Sequence, residues 1–192
     1  MVIGLQTHNT ALSGSGVRYP LFSGSRAVGL DFFGVSNWYW PWDQNRINPP
    51  AGSYGFARYC HAGPAPTDEY AWGAIETSKG VYNWTVFDQW MNAHAANGTP
   101  LMMELGRGPA WATGSDDRHA PINMVDFRDW CQAVATRAGT KISMWFVRNE
   151  PVLEYTTVPY AKYAEMTRIA SQVIKAINPA AKIIGPEAHN WA

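Results

Sequence analysis

The chain of 192 residues is 46% hydrophobic and 16% charged, the composition of a folded globular domain. Its fifteen basic and fifteen acidic residues cancel, so no net field draws it to nucleic acid or to an anionic membrane. Residues 1–16 lack the basic segment followed by an apolar segment that a signal peptide has. No apolar run approaches the roughly 18 residues that a membrane-spanning helix needs. Neither an export signal nor a membrane span is predicted, and the cellular location stays open. Ten Trp and nine Tyr residues offer flat apolar faces with polar edges, which suit sugar rings.

Metal and cofactor sites are not predicted from the sequence. Cys60 and Cys131 lie far apart, with no CxxC or histidine spacing, and two buried thiols are favoured over a disulfide. Asp116 and Asp117 stand beside Arg118, and two adjacent acids in a loop are usually solvated rather than metal-bound. We therefore expect no metal ion and no cofactor.

Strand and helix patterns alternate after a Gly- and Ser-rich N-terminal extension, residues 1–26. Short apolar runs predict strands at residues 27–35, 54–59, 100–105, 142–147 and 181–185. Apolar residues at helical spacing predict helices at residues 85–97, 123–138 and 159–178. This alternation predicts an α/β fold with a parallel sheet and right-handed crossovers.

Three motifs follow one another along the chain. The first comprises residues 72–76, 79–84 and 87–88, and the second is residues 105–112, with the form Gly-x-x-Pro-x-Trp. The third is Asn149-Glu150-Pro151, directly after the fourth predicted strand. Together they resemble the retaining glycoside hydrolases of clan A, most closely the β-xylosidase-like family 39, from about Phe32 to the end. The resemblance implies a (β/α)8 barrel of the TIM type.

The length of the chain bears on how much of such a barrel it contains. A (β/α)8 barrel typically takes about 250 residues, whereas the fifth predicted strand ends at residue 185. We therefore expect residues 27–192 to be the N-terminal portion of a barrel that is truncated after about five strands. Two open sheet edges and exposed apolar helix faces would then favour self-association.

The resemblance also implies polar site residues at the ends of the strands. Glu150 corresponds to the family's general acid/base, and Asn149 to the asparagine that binds the 2-hydroxyl of the sugar. Arg148 stands where many members have Trp. Arg58, at the end of the second strand, matches the arginine that these barrels often keep behind the catalytic carboxylates, with a surface salt bridge as an equally supported alternative.

Trp111 and Trp38 are predicted to be sugar platforms, because each lies in a loop that leaves the carboxyl end of a strand. His61 could line the same pocket, although a lone loop histidine is more often solvated or packed. No role is predicted for His94 or His119. Three other tryptophans, at helix starts or on helix faces, are predicted to pack in the core: Trp84, Trp90 and Trp130.

Retaining hydrolysis needs a second carboxyl group, ionised and about 5 to 5.5 Å from the first, to attack the anomeric carbon. The family carries this nucleophile as a glutamate at the end of the seventh strand, which the predicted elements do not reach. Glu104 and Glu187 are the other carboxylates expected near the same rim, and neither matches a catalytic position of the family. Glu104 is favoured as a buried, paired carboxylate and Glu187 as a loop residue.

The predicted function is hydrolysis of O-glycosides in an oligo- or polysaccharide, with retention and without a cofactor, incomplete here because the nucleophile strand is missing. The alternative is a non-catalytic carbohydrate-binding or scaffold remnant of such a barrel. An open doubly wound sheet that binds a nucleotide is disfavoured, because no GxGxxG or GxxxxGK[ST] pattern lies between a strand and a helix. The expected partner is a carbohydrate, and neither nucleic acid nor a membrane is expected.

Overall fold

The computed structural model describes residues 34–37, 56–59, 70–116, 118–151 and 160–185. Within these ranges the chain forms a five-stranded parallel sheet, a two-stranded hairpin and five helices. The sheet contains β1 (Gly34–Asn37), β2 (Phe56–Tyr59), β5 (Leu101–Glu104), β6 (Ile142–Phe146) and β7 (Lys182–Ile183), and the hairpin pairs β3 (Glu76–Ser78) with β4 (Val81–Tyr82). The helices are α1 (Trp72–Ile75), α2 (Thr85–Ala96), α3 (Ala110–Thr113), α4 (Met124–Ala138) and α5 (Tyr160–Ile177).

The sheet has the strand order β1-β2-β5-β6-β7, and every neighbouring pair is parallel. Across the sheet, Arg58 is paired with Met102 and Glu104 with Phe146. Helices α2, α4 and α5 lie in the connections that follow β2, β5 and β6, which gives the predicted alternation of strand and helix. The described part therefore has a mixed α/β fold that is consistent with part of a (β/α)8 barrel.

The three long helices begin and end within one residue of their predicted bounds. Strands β2, β5, β6 and β7 lie inside the predicted runs, although β7 has only two residues. Strand β1 overlaps the end of the predicted strand 27–35 and continues to residue 37, while residues 27–33 and the extension 1–26 lie outside the described residues. The hairpin β3–β4 is not predicted, because strands of three and two residues are too short to show an alternating pattern.

The two faces of the sheet carry different apolar clusters. Met103 and Trp145 belong to the large core that the sheet shares with the helices. Their direct neighbours in the two strands, Met102 and Phe146, pack together on the opposite face. Because side chains alternate along a strand, Glu104 shares the face of Met102. The carboxyl end of this second face is where the candidate site lies.

A stack of aromatic rings joins α4 to α1 and to the start of α2. Trp130 stacks on Trp72 and on Trp84, with ring centroids 6.0 and 6.2 Å apart, and Tyr82 stacks on Trp84 at 5.1 Å. Trp90 and Trp130 are fully buried, and the partly buried Trp84 packs against the same core. The prediction that these three tryptophans are core residues is confirmed.

A buried carboxylate closes the hairpin β3–β4. Glu76 is 3% exposed, and its Oε2 atom accepts a hydrogen bond from the Trp72 indole N–H at 2.6 Å, while Oε1 accepts one from the Gly80 backbone N–H at 2.8 Å. Gly80 has a φ of +79°, a conformation that glycine adopts at little cost. Burial and, after it, the nearby Glu76 carboxylate raise the pKa of Tyr82 to about 12. The first sequence motif therefore contains a hairpin that the buried Glu76 carboxylate links to Trp72 and Gly80.

No helix in the described ranges is both long and apolar enough to cross a membrane. The same ranges hold no cluster of three or more metal-ligating side chains, and Asp116 accepts instead from His119, with Oδ1 and Nδ1 2.6 Å apart. Cys131 is a buried free thiol whose pKa is raised by burial. Cys60 and Asp117 lie outside the described residues.

Candidate functional site

The carboxyl ends of β2, β5 and β6 bring together three polar side chains of the candidate site. Arg58 lies in β2, Glu104 is the last residue of β5, and Asn149 follows the end of β6 by three residues. Parallel strands present their carboxyl ends at one edge of the sheet, and this is the edge where barrel enzymes bind ligands. Residues from three separate parts of the sequence thus become neighbours.

Arg58 is tied directly to Asn149. Its Nη2 atom donates to Asn149 Oδ1 at 2.7 Å, and its guanidinium carbon lies 4.8 Å from the ring centroid of Phe146. The hydrogen bond fixes which end of the Asn149 amide faces Arg58 and therefore where the amide NH2 group points. The contact with the ring face adds a cation–π attraction and limits the motion of the guanidinium group.

Glu104 is buried behind the same turn. It is 4% exposed, and its Oε1 atom accepts from the backbone N–H of Asn149 at 3.3 Å. The same atom lies 3.4 Å from Nη1 of Arg148, which is 0% exposed. The prediction that Glu104 is a buried, paired carboxylate is confirmed, and its partner is Arg148.

Glu150 is half-buried and has a φ of +39°. Residues other than glycine rarely adopt this left-handed backbone conformation, which costs about 1–2 kcal/mol. Backbone strain of this kind persists where the surrounding structure imposes it, and it clusters at functional sites. The residue that the resemblance selects as the acid/base is therefore also an outlier in the backbone.

The loop after β5 packs against the first motif. Arg107 is 8% exposed with a φ of +61°, and its carbonyl oxygen accepts from the Gly73 backbone N–H at 3.0 Å. Trp111 is partly buried, donates from its indole N–H to the Glu76 carbonyl oxygen at 3.2 Å and meets Trp72 edge-on. Because Trp111 is partly buried against the core, only part of its ring surface is open to a sugar.

Two predicted site residues, Trp38 and His61, lie outside the described residues, as does Glu187, which was predicted to be a loop residue. Two buried arginines of the described site were not predicted to take part, Arg107 and Arg148. The sequence signal for Arg148 was its place directly before Asn149 at the end of a buried strand, since a cation buried there requires an acid as partner. No such signal marks Arg107, whose left-handed φ is unusual for arginine.

The described part also contains a groove that is separate from the strand ends. Its volume is about 780 Å³, and it runs between α2 and α4, where Trp84, Met91, Gln132 and Arg137 are among the lining residues. None of the predicted site residues lines it. We therefore take the strand ends, and not this groove, as the candidate site.

No known protein-family model matches the chain. Solved structures nonetheless share its fold. The chain is similar to a family 39 glycoside hydrolase from the gut symbiont Bacteroides cellulosilyticus WH2, with a TM-score of 0.58 and 17% identity, covering 81% of this chain and 31% of that one. It is also similar to a monomeric β-xylosidase from Caulobacter crescentus CB15, with a TM-score of 0.59 and 20% identity, covering 81% and 36%.

A third similar structure is xylanase 10B from Thermotoga petrophila RKU-1, with a TM-score of 0.53 and 16% identity, covering 79% of this chain and 47% of that one. The structural neighbours are thus (β/α)8-barrel glycoside hydrolases of families 39 and 10. The chain spans between 31% and 47% of the length of these three proteins. At these identities the likeness establishes the fold, and the assignment to family 39 stays a prediction.

Proposed function

We propose that residues 27–192 are the N-terminal portion of a retaining glycoside hydrolase, nearest to family 39, and that β-linked O-glycosides are its substrates. The barrel-like arrangement of β1, β2, β5, β6 and β7 supports this, as do the three sequence motifs. Two of the similar structures are a β-xylosidase and a xylanase. β-Xylosides are therefore the substrates to test first.

Glu150 is the general acid/base in this proposal. It gives a proton to the leaving oxygen in the first step and takes one from water in the second. The observation that carries the proposal is the position of Glu150 at the end of β6, strained in φ and next to Asn149, which contacts from β2 and β5 hold in place. Because its neighbour Asn149 is held in place, the backbone of Glu150 needs little reorganisation to present the carboxyl group to a glycosidic oxygen.

Asn149 takes the second role, a hydrogen bond to the 2-hydroxyl of the sugar. Such bonds to the 2-hydroxyl strengthen in the oxocarbenium-like transition state. Arg58 supports this role, because its hydrogen bond to Oδ1 directs the amide NH2 group of Asn149. Trp111, Trp38 and His61 are the further contacts that we propose for the substrate.

The nucleophile must be an ionised carboxylate about 5 to 5.5 Å from Glu150. Glu104 does not suit this role, because it is 4% exposed and its Oε1 atom already serves Arg148 and the Asn149 backbone. We therefore assign the nucleophile to a later strand of the whole protein. This assignment agrees with the family resemblance, in which a glutamate ends the seventh strand.

A non-catalytic carbohydrate-binding or scaffold protein is the second candidate. One specific observation favours it, since the second carboxyl group at the described strand ends, Glu104, is buried and already bonded to the Asn149 backbone N–H, so it does not suit the role of nucleophile. In that case Asn149 and the aromatic residues would still bind a sugar, but no glycosyl-enzyme would form.

Hydrolysis of 4-nitrophenyl and 2,4-dinitrophenyl β-xylosides and β-glucosides tests the proposal. We would compare the chain, and any longer product of the same reading frame, with Glu150→Gln and with the control Glu165→Gln, an exposed glutamate of α5. We expect Glu150→Gln to lower kcat/KM for the nitrophenyl substrate by about 10²- to 10⁴-fold. The loss should be much smaller for the dinitrophenyl substrate, whose leaving group needs little protonation.

Full activity in Glu150→Gln with both leaving groups would overturn the acid/base assignment. Loss in Glu165→Gln as well would indicate damage to the fold rather than to the chemistry. If no product of the reading frame hydrolyses any substrate but the chain binds xylo-oligosaccharides, the carbohydrate-binding alternative replaces the enzyme.

A further inference from the structure

Two buried charges lie directly behind the turn that carries Asn149 and Glu150. Glu104 is 4% exposed and Arg148 is 0% exposed, and their Oε1 and Nη1 atoms are 3.4 Å apart. Burying two charges costs hydration that their attraction often fails to repay, and a well-packed apolar pair is frequently as stable. Stability alone is therefore a poor reason for this pair to exist.

The geometry points to a reason in the backbone. One oxygen of Glu104, Oε1, serves both the guanidinium of Arg148 and the backbone N–H of Asn149, the latter at 3.3 Å. Hydrogen bonds to a carboxylate are stronger than those to a neutral group, and the guanidinium of Arg148 lies where it favours a carboxylate at this place. The pair thus fixes the chain between the end of β6 and Glu150.

Asn149 is held from two sides as a result. Its backbone N–H is bonded to Glu104 from β5, and its side-chain Oδ1 accepts from Arg58 of β2 at 2.7 Å. Because both its backbone and its side chain are hydrogen-bonded to neighbouring strands, Asn149 has little freedom to change its backbone angles and so relieve strain in the next residue. Glu150 follows immediately, and it has the left-handed φ of +39°.

We propose that Glu104 and Arg148 are positioning residues that hold the Asn149–Glu150 turn in its strained form, so that Glu150 faces the glycosidic oxygen. The inference rests on the proposed function of Glu150. It assigns to Arg148 a part that the Trp found in many family 39 members cannot play, because an indole carries no charge to pair with Glu104. Neither residue touches the substrate, and both act through Asn149 and Glu150.

The test replaces both members of the ion pair at once, in Glu104→Leu/Arg148→Met, so that neither is left without the other. The matched control is Asp88→Leu/Arg137→Met, which removes an exposed ion pair between α2 and α4. In the whole protein that carries the proposed nucleophile, we expect the first double variant to unfold near the wild-type temperature yet to lose about 10- to 100-fold in kcat, since small misplacement of a catalytic group has this effect. The control should keep its kcat.

Combination with Glu150→Gln separates positioning from a merely structural role. If the pair acts in part through Glu150, then adding Glu104→Leu/Arg148→Met to Glu150→Gln will lower kcat by a smaller factor than it does in the wild type, and an equal factor in both would contradict action through Glu150. Wild-type kcat in the double variant, while Glu150→Gln is inactive, overturns the inference and leaves the proposed function standing. Wild-type activity in Glu150→Gln overturns the proposed function itself.

Amide hydrogen exchange provides a readout that does not depend on activity. The Asn149 backbone N–H should exchange at least about 10-fold faster in Glu104→Leu/Arg148→Met, with amides of α4 unchanged. Equal exchange rates of the Asn149 backbone N–H in the wild type and in Glu104→Leu/Arg148→Met would overturn the inference. Should the double variant fail to fold, the nearly isosteric Glu104→Gln takes its place, with faster exchange at Asn149 expected and unchanged exchange contradicting the role of the charge.

Discussion

Acidification will destabilise the protein through His94, which lies in the last turn of α2. Its side chain is 0% exposed, and neither ring nitrogen has a hydrogen-bond partner in the structure as described. The ring packs against Trp90, with centroids 5.8 Å apart. Burial lowers the pKa of His94 from its ordinary value of 6.5 to about 4, because a protonated ring would lose its hydration here.

The sign and size of the effect follow from this lowered pKa. Between pH 6.5 and about 4, the unfolded chain binds a proton at His94 that the folded protein does not, so stability falls as the pH decreases through this window. Above pH 6.5 the ring is neutral in both states, and the effect vanishes. The contribution of His94 amounts to about 2.5 kcal/mol between about pH 7 and about pH 4.5.

Urea unfolding of the wild type and of His94→Leu at these two pH values isolates the effect, because every other titrating group is common to both proteins. We expect His94→Leu to be more stable by about 1 kcal/mol or more near pH 7, since it removes two buried polar atoms that lack partners. Its advantage should grow by about 2.5 kcal/mol near pH 4.5. The reasoning would be refuted if the free energies of unfolding of the two proteins changed equally between these pH values, or if the His94 ring titrated near its ordinary pKa.

Three further predictions concern stability. Gly108→Ala should destabilise by about 1–3 kcal/mol in thermal unfolding, because a Cβ atom there would lie 2.9 Å from a side-chain carbon of Thr113. Its control is Gly185→Ala, where no atom of the described residues lies within 4 Å of the added Cβ, and which should change little. Glu76→Gln should cost about 1–3 kcal/mol in urea unfolding, because the amide cannot accept both hydrogen bonds on its two terminal atoms. Asn123→Ala should cost about 1 kcal/mol, because Asn123 Oδ1 accepts from the Val125 N–H at the start of α4, and an unchanged midpoint would show that this cap adds nothing.

The long helices could be predicted because their signals are local. Helix α5 repeats apolar residues at helical spacing, and Asn123 supplies a capping side chain at the start of α4. The hairpin β3–β4 was not predicted. The hydrogen bonds of Glu76 that hold it form only in the folded chain, and no periodic sequence pattern reveals them. Short elements of this kind depend on contacts that no local pattern contains.

The site was only partly predictable for a similar reason. The sequence offered Asn149 and Glu150 through a motif, and Arg58 through its place at the end of a strand. The pairing of Glu104 with Arg148 depends on the register of β5 against β6, which joins Glu104 to Phe146. A one-residue change in that register would turn Glu104 to the other face, so its partner could not be inferred from order along the chain alone.

Chemical rescue of Glu150→Ala by azide is the most direct measurement of the role proposed for Glu150. Azide needs no general base, so it can attack a glycosyl-enzyme whose acid/base has been removed. With 2,4-dinitrophenyl β-xyloside and the whole protein that carries the proposed nucleophile, we expect azide to restore turnover of Glu150→Ala and to yield β-xylosyl azide, with no acceleration of the wild type or of Glu165→Gln. If azide neither accelerates Glu150→Ala nor appears in the product, while the wild type hydrolyses the substrate with retention, Glu150 is not the acid/base.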